Sequence, residues 1–347
     1  MLNVALLAPK LQSMCGRSRV VYQLINGLDR SKFRIYLVTE NLSDLSSISI
    51  NKENRLILKL PKLIERPGFL ISCISIYNFI RRKKIDILHS HHRYYELICA
   101  LLANISNVST VTTVHSIFNN HKFLSFRSKR IVAVSEFVKQ HLVADYKLKK
   151  EILVVYNGVE NLPDGEEKTD WKKFVIIAAG RLVKEKSYDL IIKAISISAY
   201  KKKIQLIIIG RGNEEKNIMQ LSSKLGVNTK ICYQDERPFN YYEKSDLLVM
   251  PSSNEGFGLT ILEAGIKGIP VIAADSGGPL EIITENEDGI LFRSGDYKDL
   301  SRKIDYLIEH PDISNAISKK FKHKIVNKFS LNKMLKNYEE LYLSLGN

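Results

Sequence analysis

The chain has 347 residues, 45% of them hydrophobic and 26% charged, with 52 Lys and Arg against 37 Asp and Glu for a net charge of +15. That length exceeds one ordinary hydrophobic core and the composition is globular, which excludes a disordered chain and favours two domains. The longest apolar stretches fall short of the ~18–20 residues a membrane span needs, and MLNVALLAPK lacks the basic start and small-residue cleavage site of a signal peptide, so a cytoplasmic protein is expected.

In chain order, NVALLAP, FRIYLVTE, IDILHS, VTTVHS and RIVAVS read as buried strands, because each is brief, rich in β-branched residues and closed by turn or polar residues. SRVVYQLINGL and SEFVKQHLVADY read as intervening helices, the second opening on the N-cap residue Ser135. Residues 68–84, GFLISCISIYNFIRRKK, form an apolar run ending in four basic residues. It fits a core helix with cations at the negative end of its dipole, and equally a segment lying on acidic lipid headgroups. Residues 89–95, HSHHRYY, suggest zinc at first sight. Adjacent His91 and His92 do not aim at one ion, however, and no Cys or carboxylate stands at finger or metalloprotease spacing, so no metal is expected.

After ILVVYNGVE, residues 161–171 (NLPDGEEKTDW) are polar and broken by Pro and Gly, which marks a domain boundary. The expected domains are 1–163 and 172–329. Alternation restarts with FVIIAAG, QLIIIG, KICYQ, DLLVMPS and IPVIAAD. The expectation is an α/β protein of two Rossmann-like, doubly wound parallel-sheet domains whose strand C-termini face an interdomain crevice. Charge is uneven: residues 1–163 hold 24 Lys and Arg against 11 Asp and Glu, a net +13, and residues 164–347 hold 28 against 26, a net +2. Such asymmetry suits an anionic surface. Without aromatic interleaving, an RNP-like run or a recognition helix, nucleic acid is not the expected partner. Cys15, Cys73, Cys99 and Cys232 stand far apart with no CxxC spacing and are expected to be packing residues.

The chemistry concentrates in the second half. FVIIAAGRLVKEKSYDLIIKAI is a strand, a turn and a helix with Arg181, Lys184 and Lys186 in the turn. A helix start offers unpaired N–H groups and the positive dipole end, and added cations make it a pyrophosphate site. LIIIGRGNEE carries Gly210 and Gly212, but Glu215 stands where the third glycine of a dinucleotide fingerprint belongs, so a simple tight turn is expected. In SSNEGFGLTILEAGIKGIPVIAADSGG, Gly256 and Gly258 allow a close turn ahead of a helix beginning near Leu259. Carboxylates repel phosphate but accept strong hydrogen bonds from diols, which suits Glu255 and Glu263 to hydroxyls. Ser276, Gly277 and Gly278 add a backbone-amide concavity. Two phosphates, a ribose diol and a hydroxyl-rich sugar would use all these parts, and together they describe a nucleotide-sugar.

GRLVKEKSYD, PSSNEGFGLTILEAGIKGIPVIAADSGG and, upstream, VAVSEFVKQHL with VVYNGVE resemble the retaining GT-B glycosyltransferases of family 4, bacterial sugar transferases that build surface polysaccharides. The likeness runs the length of the chain and is strongest over 131–290. It implies the GT-B fold and a nucleotide-sugar donor, a UDP-sugar foremost, with no other cofactor. Arg181 and Lys186 would hold the donor pyrophosphate and neutralise the leaving diphosphate in place of a divalent metal, in keeping with the lack of an Asp-x-Asp motif. Glu255 would contact the donor sugar and Glu263 the ribose, with Gly256, Phe257 and Gly258 of the EGFG motif beside them. His115 matches a family histidine near the transferred sugar. The family often has a double glycine after the first strand; here Gly16 is retained, Cys15 replaces its neighbour, and Arg17 follows as a further candidate cation. His89, His91, His92, Arg93 and Tyr94 are candidates for contact with a glycan or lipid-linked glycan acceptor. The amphipathic run 330–346 would form a helix crossing back to the first domain, and the basic first half would suit the inner face of the membrane. A glycosidase using the two glutamates, a nucleotide-sugar epimerase of the same architecture and a non-catalytic subunit scaffolding a partner transferase are the rival readings.

Overall fold

Most strands of this protein are buried on both faces, as parallel strands covered by helices are. The computed structural model describes residues 1–9, 11, 15–41, 50–58, 67–118, 126–161, 173–233 and 239–346. Residues 162–171 of the expected linker lie outside that set, as do Gln12, Ser13 and Met14 of the first loop. The chain divides into two compact units, Met1–Asn157 with Asn332–Asn347, and Gly158–Leu331.

The first unit holds a seven-stranded parallel sheet: β1 (Leu2–Leu7), β2 (Phe33–Thr39), β3 (Arg55–Ile57), β4 (Ile87–Ser90), β5 (Ser109–Val114), β6 (Arg130–Ala133) and β7 (Ile152–Val154), in the order β3-β2-β1-β4-β5-β6-β7. Its helices are α1 (Gly16–Gly27), α2 (Pro67–Lys83), α3 (Arg93–Ser106), α4 (Glu136–Tyr146) and the C-terminal helix Leu331–Leu343. Ser135 caps α4 as expected, its hydroxyl accepting from Val138 N–H at 3.0 Å. The C-terminal helix buries Met334, Leu335, Tyr338, Leu341 and Tyr342. Glu96 on α3 is fully buried, and its carboxylate accepts from the backbone N–H groups of Phe126, Arg127 and Ser128 at 3.1, 2.6 and 2.8 Å, which fixes the approach to β6. The α2 helix buries Ser72, Ile76, Phe79 and Ile80 but leaves Leu70, Ile71 and Ile74 at least 60% exposed, with Arg81, Arg82 and Lys83 in its last turn.

The second unit has a six-stranded parallel sheet: β8 (Phe174–Ala179), β9 (Ile204–Ile209), β10 (Thr229–Cys232), β11 (Leu247–Met250), β12 (Val271–Ala274) and β13 (Ile290–Phe292), in the order β10-β9-β8-β11-β12-β13. Its helices are α5 (Tyr188–Ile197), α6 (Glu215–Leu225), α7 (Phe239–Tyr242), α8 (Leu259–Ile266), α9 (Pro279–Ile282), α10 (Tyr297–Glu309) and α11 (Pro311–Lys328). A core of Ile191, Ile195, Leu206, Ile208, Val249 and Ile304 packs α5 and α10 on one face of the sheet. The same device anchors both sheets: Asp86, just before β4, accepts from Asn3 N–H at 2.7 Å, and Asp246, just before β11, accepts from Val175 N–H at 2.8 Å. The strands β3, β7 and β13 were not expected from the sequence. Each has three residues, too few for a period of two to register against noise.

Both sheets are the doubly wound parallel type that the alternation predicts. In each, the order reverses at one strand pair, β1/β4 in the first and β8/β11 in the second. Loops leaving such a pair diverge to opposite faces and open a crevice at the carboxyl ends.

Candidate functional site

In the second unit, the loops after β8, β11 and β12 are joined into one surface. The β8 turn is pressed against the backbone that follows β9. A Cβ on Gly210 would stand 1.9 Å from the carbonyl oxygen of Gly180, and one on Gly212 would stand 2.1 Å from that of Leu182. These glycines serve close backbone approach, and the turn they support carries Arg181, which is exposed, and Lys186, which is partly buried. The Lys186 ammonium donates to the Glu255 carboxylate in the loop after β11, their side chains 25% and 18% exposed. Gly278 N–H donates to the Glu255 carbonyl at 2.9 Å, and the Ser276 hydroxyl donates to the carbonyl of Ser253. Gly278 has no room for a side chain, since a Cβ would lie 2.3 Å from Phe257 Cα. Gly258 has φ +114° and leads directly into α8, as a non-glycine residue does only with strain.

Phe257 is 2% exposed and packs edge-on to Phe329 with ring centroids 5.8 Å apart, so its backbone is what the loop surface offers. Glu263 is also 2% exposed and accepts from the Tyr242 hydroxyl at 3.0 Å, beneath the loop that Glu255 tops. The two glutamates therefore occupy different environments. Sequence reasoning missed two hydroxyls here. Tyr188 and Ser252 line a small cavity with Lys186, Met250 and Thr260, and the Tyr188 Oη and Ser252 Oγ atoms are buried with no hydrogen-bond partner among the described residues. Burial pushes the Tyr188 phenol up, and the nearby Glu255 charge adds to that, so it stays a neutral donor. Ser252 was legible as the polar residue closing β11; Tyr188 looked like an ordinary helix residue.

In the first unit, Gly16 and Arg17 open α1 after β1, His91 and His92 follow β4, and His115 follows β5. Gly16 is exposed, whereas Arg17 is partly buried with its Nε atom lacking a partner among the described residues. Burial works to raise the Cys15 thiol pKa, but the Arg17 charge and hydrogen bonds from Ser18 and the Arg17 backbone outweigh it and leave the pKa below its ordinary value. His91 Nδ1 lies 3.0 Å from His115 Nε2, with the rings stacked at 5.3 Å. Burial lowers both histidines well below the usual range, and the Arg17 charge adds to the effect. The ring of His92 accepts from Tyr94 N–H at 3.4 Å as the cap of α3, while Arg93 lies over the Phe118 ring at 4.3 Å. Tyr94 is 43% exposed.

One expectation is corrected. His89, grouped with the acceptor-facing residues, is fully buried: Nδ1 is 2.6 Å from the Tyr342 hydroxyl and Nε2 is 2.8 Å from Thr113 Oγ1. Both ring nitrogens are used inside the unit, so His89 has nothing to present to a ligand. Among the described residues, no set of three His, Cys, Asp or Glu side chains converges as metal ligands.

Residues 15–161 match the family model Glycosyltransferase Family 4, and residues 163–324 match the model Glycosyl transferases group 1. The chain belongs to this glycosyltransferase family. The glycosyltransferase is 29% identical over 314 residues to an uncharacterised glycosyltransferase of Methanocaldococcus jannaschii, covering 85% of this chain and 86% of that one. It is 26% identical over 239 residues to a capsular polysaccharide biosynthesis glycosyltransferase of Staphylococcus aureus, spanning 64% of this chain and 63% of the relative. HepE of Anabaena, solved in complex with UDP and glucose, has a TM-score of 0.85 over 99% of this chain and 100% of its own at 17% identity, a likeness of fold. That fold is GT-B.

The first unit carries a pH signature. Burial lowers His89 from 6.5 to about 3. Between those values the unfolded glycosyltransferase binds a proton that the folded one refuses, so stability is full above about pH 6.5 and falls as the pH drops toward 3. Urea unfolding at about pH 7.5 and pH 4.5 checks this. His89→Gln is expected to unfold more easily at the higher pH, by roughly 1–3 kcal/mol for the disrupted buried bonds, and to lose less than wild type on acidification. An unchanged pH slope in the variant contradicts the assignment.

Proposed function

We propose that this glycosyltransferase is a retaining, metal-independent enzyme that moves a hexosyl unit from a nucleotide-sugar to a glycan or lipid-linked glycan in bacterial surface polysaccharide synthesis, whether lipopolysaccharide, O-antigen or capsule. The observation that carries the reading is the β8 turn, where Arg181 is exposed and Lys186 adjoins two buried hydroxyls, Tyr188 Oη and Ser252 Oγ, that have no partner among the described residues. A diphosphate offers oxygens to Arg181 and Lys186, and it competes with Glu255 for the lysine. Glu255, once free of the lysine, is left to accept from sugar hydroxyls. The UDP and glucose bound to HepE and the capsular role of the Staphylococcus aureus relative support a UDP-sugar donor and a polysaccharide product.

In this reading Arg181 and Lys186 stabilise the charge that grows on the departing diphosphate, the largest contribution to the rate. The backbone of Gly256, Phe257 and Gly258 and of Ser276, Gly277 and Gly278 borders the donor, and Glu263 takes the ribose. Gly16 and His115 meet the transferred sugar, and His92, Arg93 and Tyr94 remain on the acceptor side, while His91, 2% exposed, is hydrogen-bonded to His115 rather than presented to the acceptor. The acceptor hydroxyl attacks on the face the diphosphate leaves, so the anomeric configuration is kept. The domains divide at 1–163 and 172–329, with 330–347 completing the first. An epimerase would turn over donor without acceptor, and a scaffolding subunit would need a partner chain for any turnover.

Arg181→Ala and Lys186→Ala are each expected to lower kcat/KM by roughly 10²–10³, the cost of losing one preorganised charge-stabilising donor, with a chelator present throughout. Nucleotide release measured with a UDP-sugar panel, and proton NMR of the product anomer, check this. Full turnover in both variants, a strict need for a divalent ion, or an inverted product contradicts the proposal.

We also propose peripheral binding at the inner face of the cytoplasmic membrane through α2, because Leu70, Ile71 and Ile74 form an exposed apolar stripe that leads to Arg81, Arg82 and Lys83. Vesicles containing phosphatidylglycerol are expected to retain the enzyme on flotation, and neutral vesicles to lose it. Replacing Leu70, Ile71 and Ile74 with Ser is expected to abolish retention; undiminished retention contradicts the assignment.

A further inference from the structure

Adjacent parallel strands carry His91 and His115 to the carboxyl end of the first sheet, with β4 and β5 paired from Ile87↔Ser109 to Ser90↔Thr112. One hydrogen bond joins them, from or to His91 Nδ1 and His115 Nε2 at 3.0 Å. His91 is 2% exposed, and its other nitrogen, Nε2, is buried with no partner among the described residues. Burial keeps both rings neutral, so each holds one proton and a single proton lies between them.

Two arrangements satisfy that count. If the shared proton belongs to His115 Nε2, His91 accepts at Nδ1 and must carry its own proton on Nε2, leaving a buried N–H donor with no acceptor among the described residues. If the proton belongs to His91 Nδ1, the unpaired atom is a bare nitrogen lone pair. Orphaned buried N–H groups are rarer in folded proteins than under-used acceptors, and the second arrangement avoids one. The ring of His91 is also held from behind: His89 lies 4.1 Å away, centroid to centroid, itself clamped between Tyr342 and Thr113. Thr113 Oγ1 is in turn 3.0 Å from the Tyr338 hydroxyl, so the C-terminal helix braces the stack.

We infer that His91 is a positioning residue that fixes His115 as the neutral tautomer protonated on Nδ1, so that His115 offers its ligand a hydrogen-bond donor. This rests on the reading of His115 as the histidine that meets the transferred sugar. In that tautomer His115 donates from Nδ1 to a sugar oxygen, and Nδ1 has no lone pair with which to take a proton from the acceptor hydroxyl. Specificity follows: a sugar with an oxygen at that position is bonded, and the corresponding deoxy sugar leaves a partly buried donor unpaired and is disfavoured.

The Nδ1–H form is the minor one of free histidine, so its presence is informative. Long-range proton–nitrogen NMR on the ¹⁵N-histidine full-length protein, at about pH 7.5 and without ligand, reads the tautomer of His115 directly. The expected spectrum has His115 protonated on Nδ1. His91→Asn places an amide N–H near the original donor and is expected to keep that tautomer, whereas His91→Asp places only an acceptor there and is expected to move the proton to Nε2. Turnover is expected to hold within a few-fold in the Asn variant and to fall roughly 10–100-fold in the Asp variant, the range for loss of a group that orients a ligand-contacting histidine. Wild-type His115 protonated on Nε2, or the same tautomer in both variants, overturns the inference. If the tautomers switch as stated while turnover is equal in both variants, the positioning of His115 stands and its role at the sugar fails.

Discussion

The order of each sheet reverses at one strand pair, β1/β4 in the first unit and β8/β11 in the second, and the chemistry of the chain collects where that reversal leaves room. Parallel strands covered on both faces do not leave a polar side chain free for a ligand along their length. Their carboxyl ends do, and at the reversal the flanking loops turn to opposite faces. Lys186 and Glu255 lie 69 residues apart in sequence yet meet because one follows β8 and the other β11. By the same geometry, Arg17 follows β1 while His91 follows β4, and the charge of one bears on the other.

The electrostatic character of the two edges differs. In the second unit, Lys186 lines a small cavity with the hydroxyls of Tyr188 and Ser252, and its ion pair with Glu255, about a fifth exposed, is open to exchange with an anionic ligand. In the first unit, burial and Arg17 together keep three histidines uncharged, at a place suited to orienting hydroxyls.

Much of the fold was legible because buried parallel strands are continuous apolar runs, and β1, β2, β5, β8 and β9 each have six or seven residues. Three-residue β3, β7 and β13 were not, since a period cannot be read from so few positions. The cationic turn and the glycine-framed Glu255 loop were legible as motifs, for their chemistry is local. The misreading of His89 has a non-local cause: its partners Tyr342 and Thr113 lie 253 and 24 residues away, and a strand-end histidine looks the same in sequence whether it faces solvent or a tyrosine. Gly210 and Gly212 were read as a simple turn, whereas their reason is the carbonyl groups of Gly180 and Leu182 pressed against them. Glu96, which holds three backbone N–H groups of a distant loop, gave no sequence signal at all.

The central claim is that the β8 turn is a diphosphate site built from protein cations. Isothermal titration of UDP, GDP and ADP into the metal-free protein, repeated with Lys186→Met, tests it most directly. The account predicts measurable binding of at least one nucleoside diphosphate without a divalent ion, weakening with salt as a charge-dominated contact should, and about tenfold or more weaker once the ammonium is gone, as for a hydrogen bond to a charged group. Equal affinity in the two proteins, or no binding of any of the three, would contradict it.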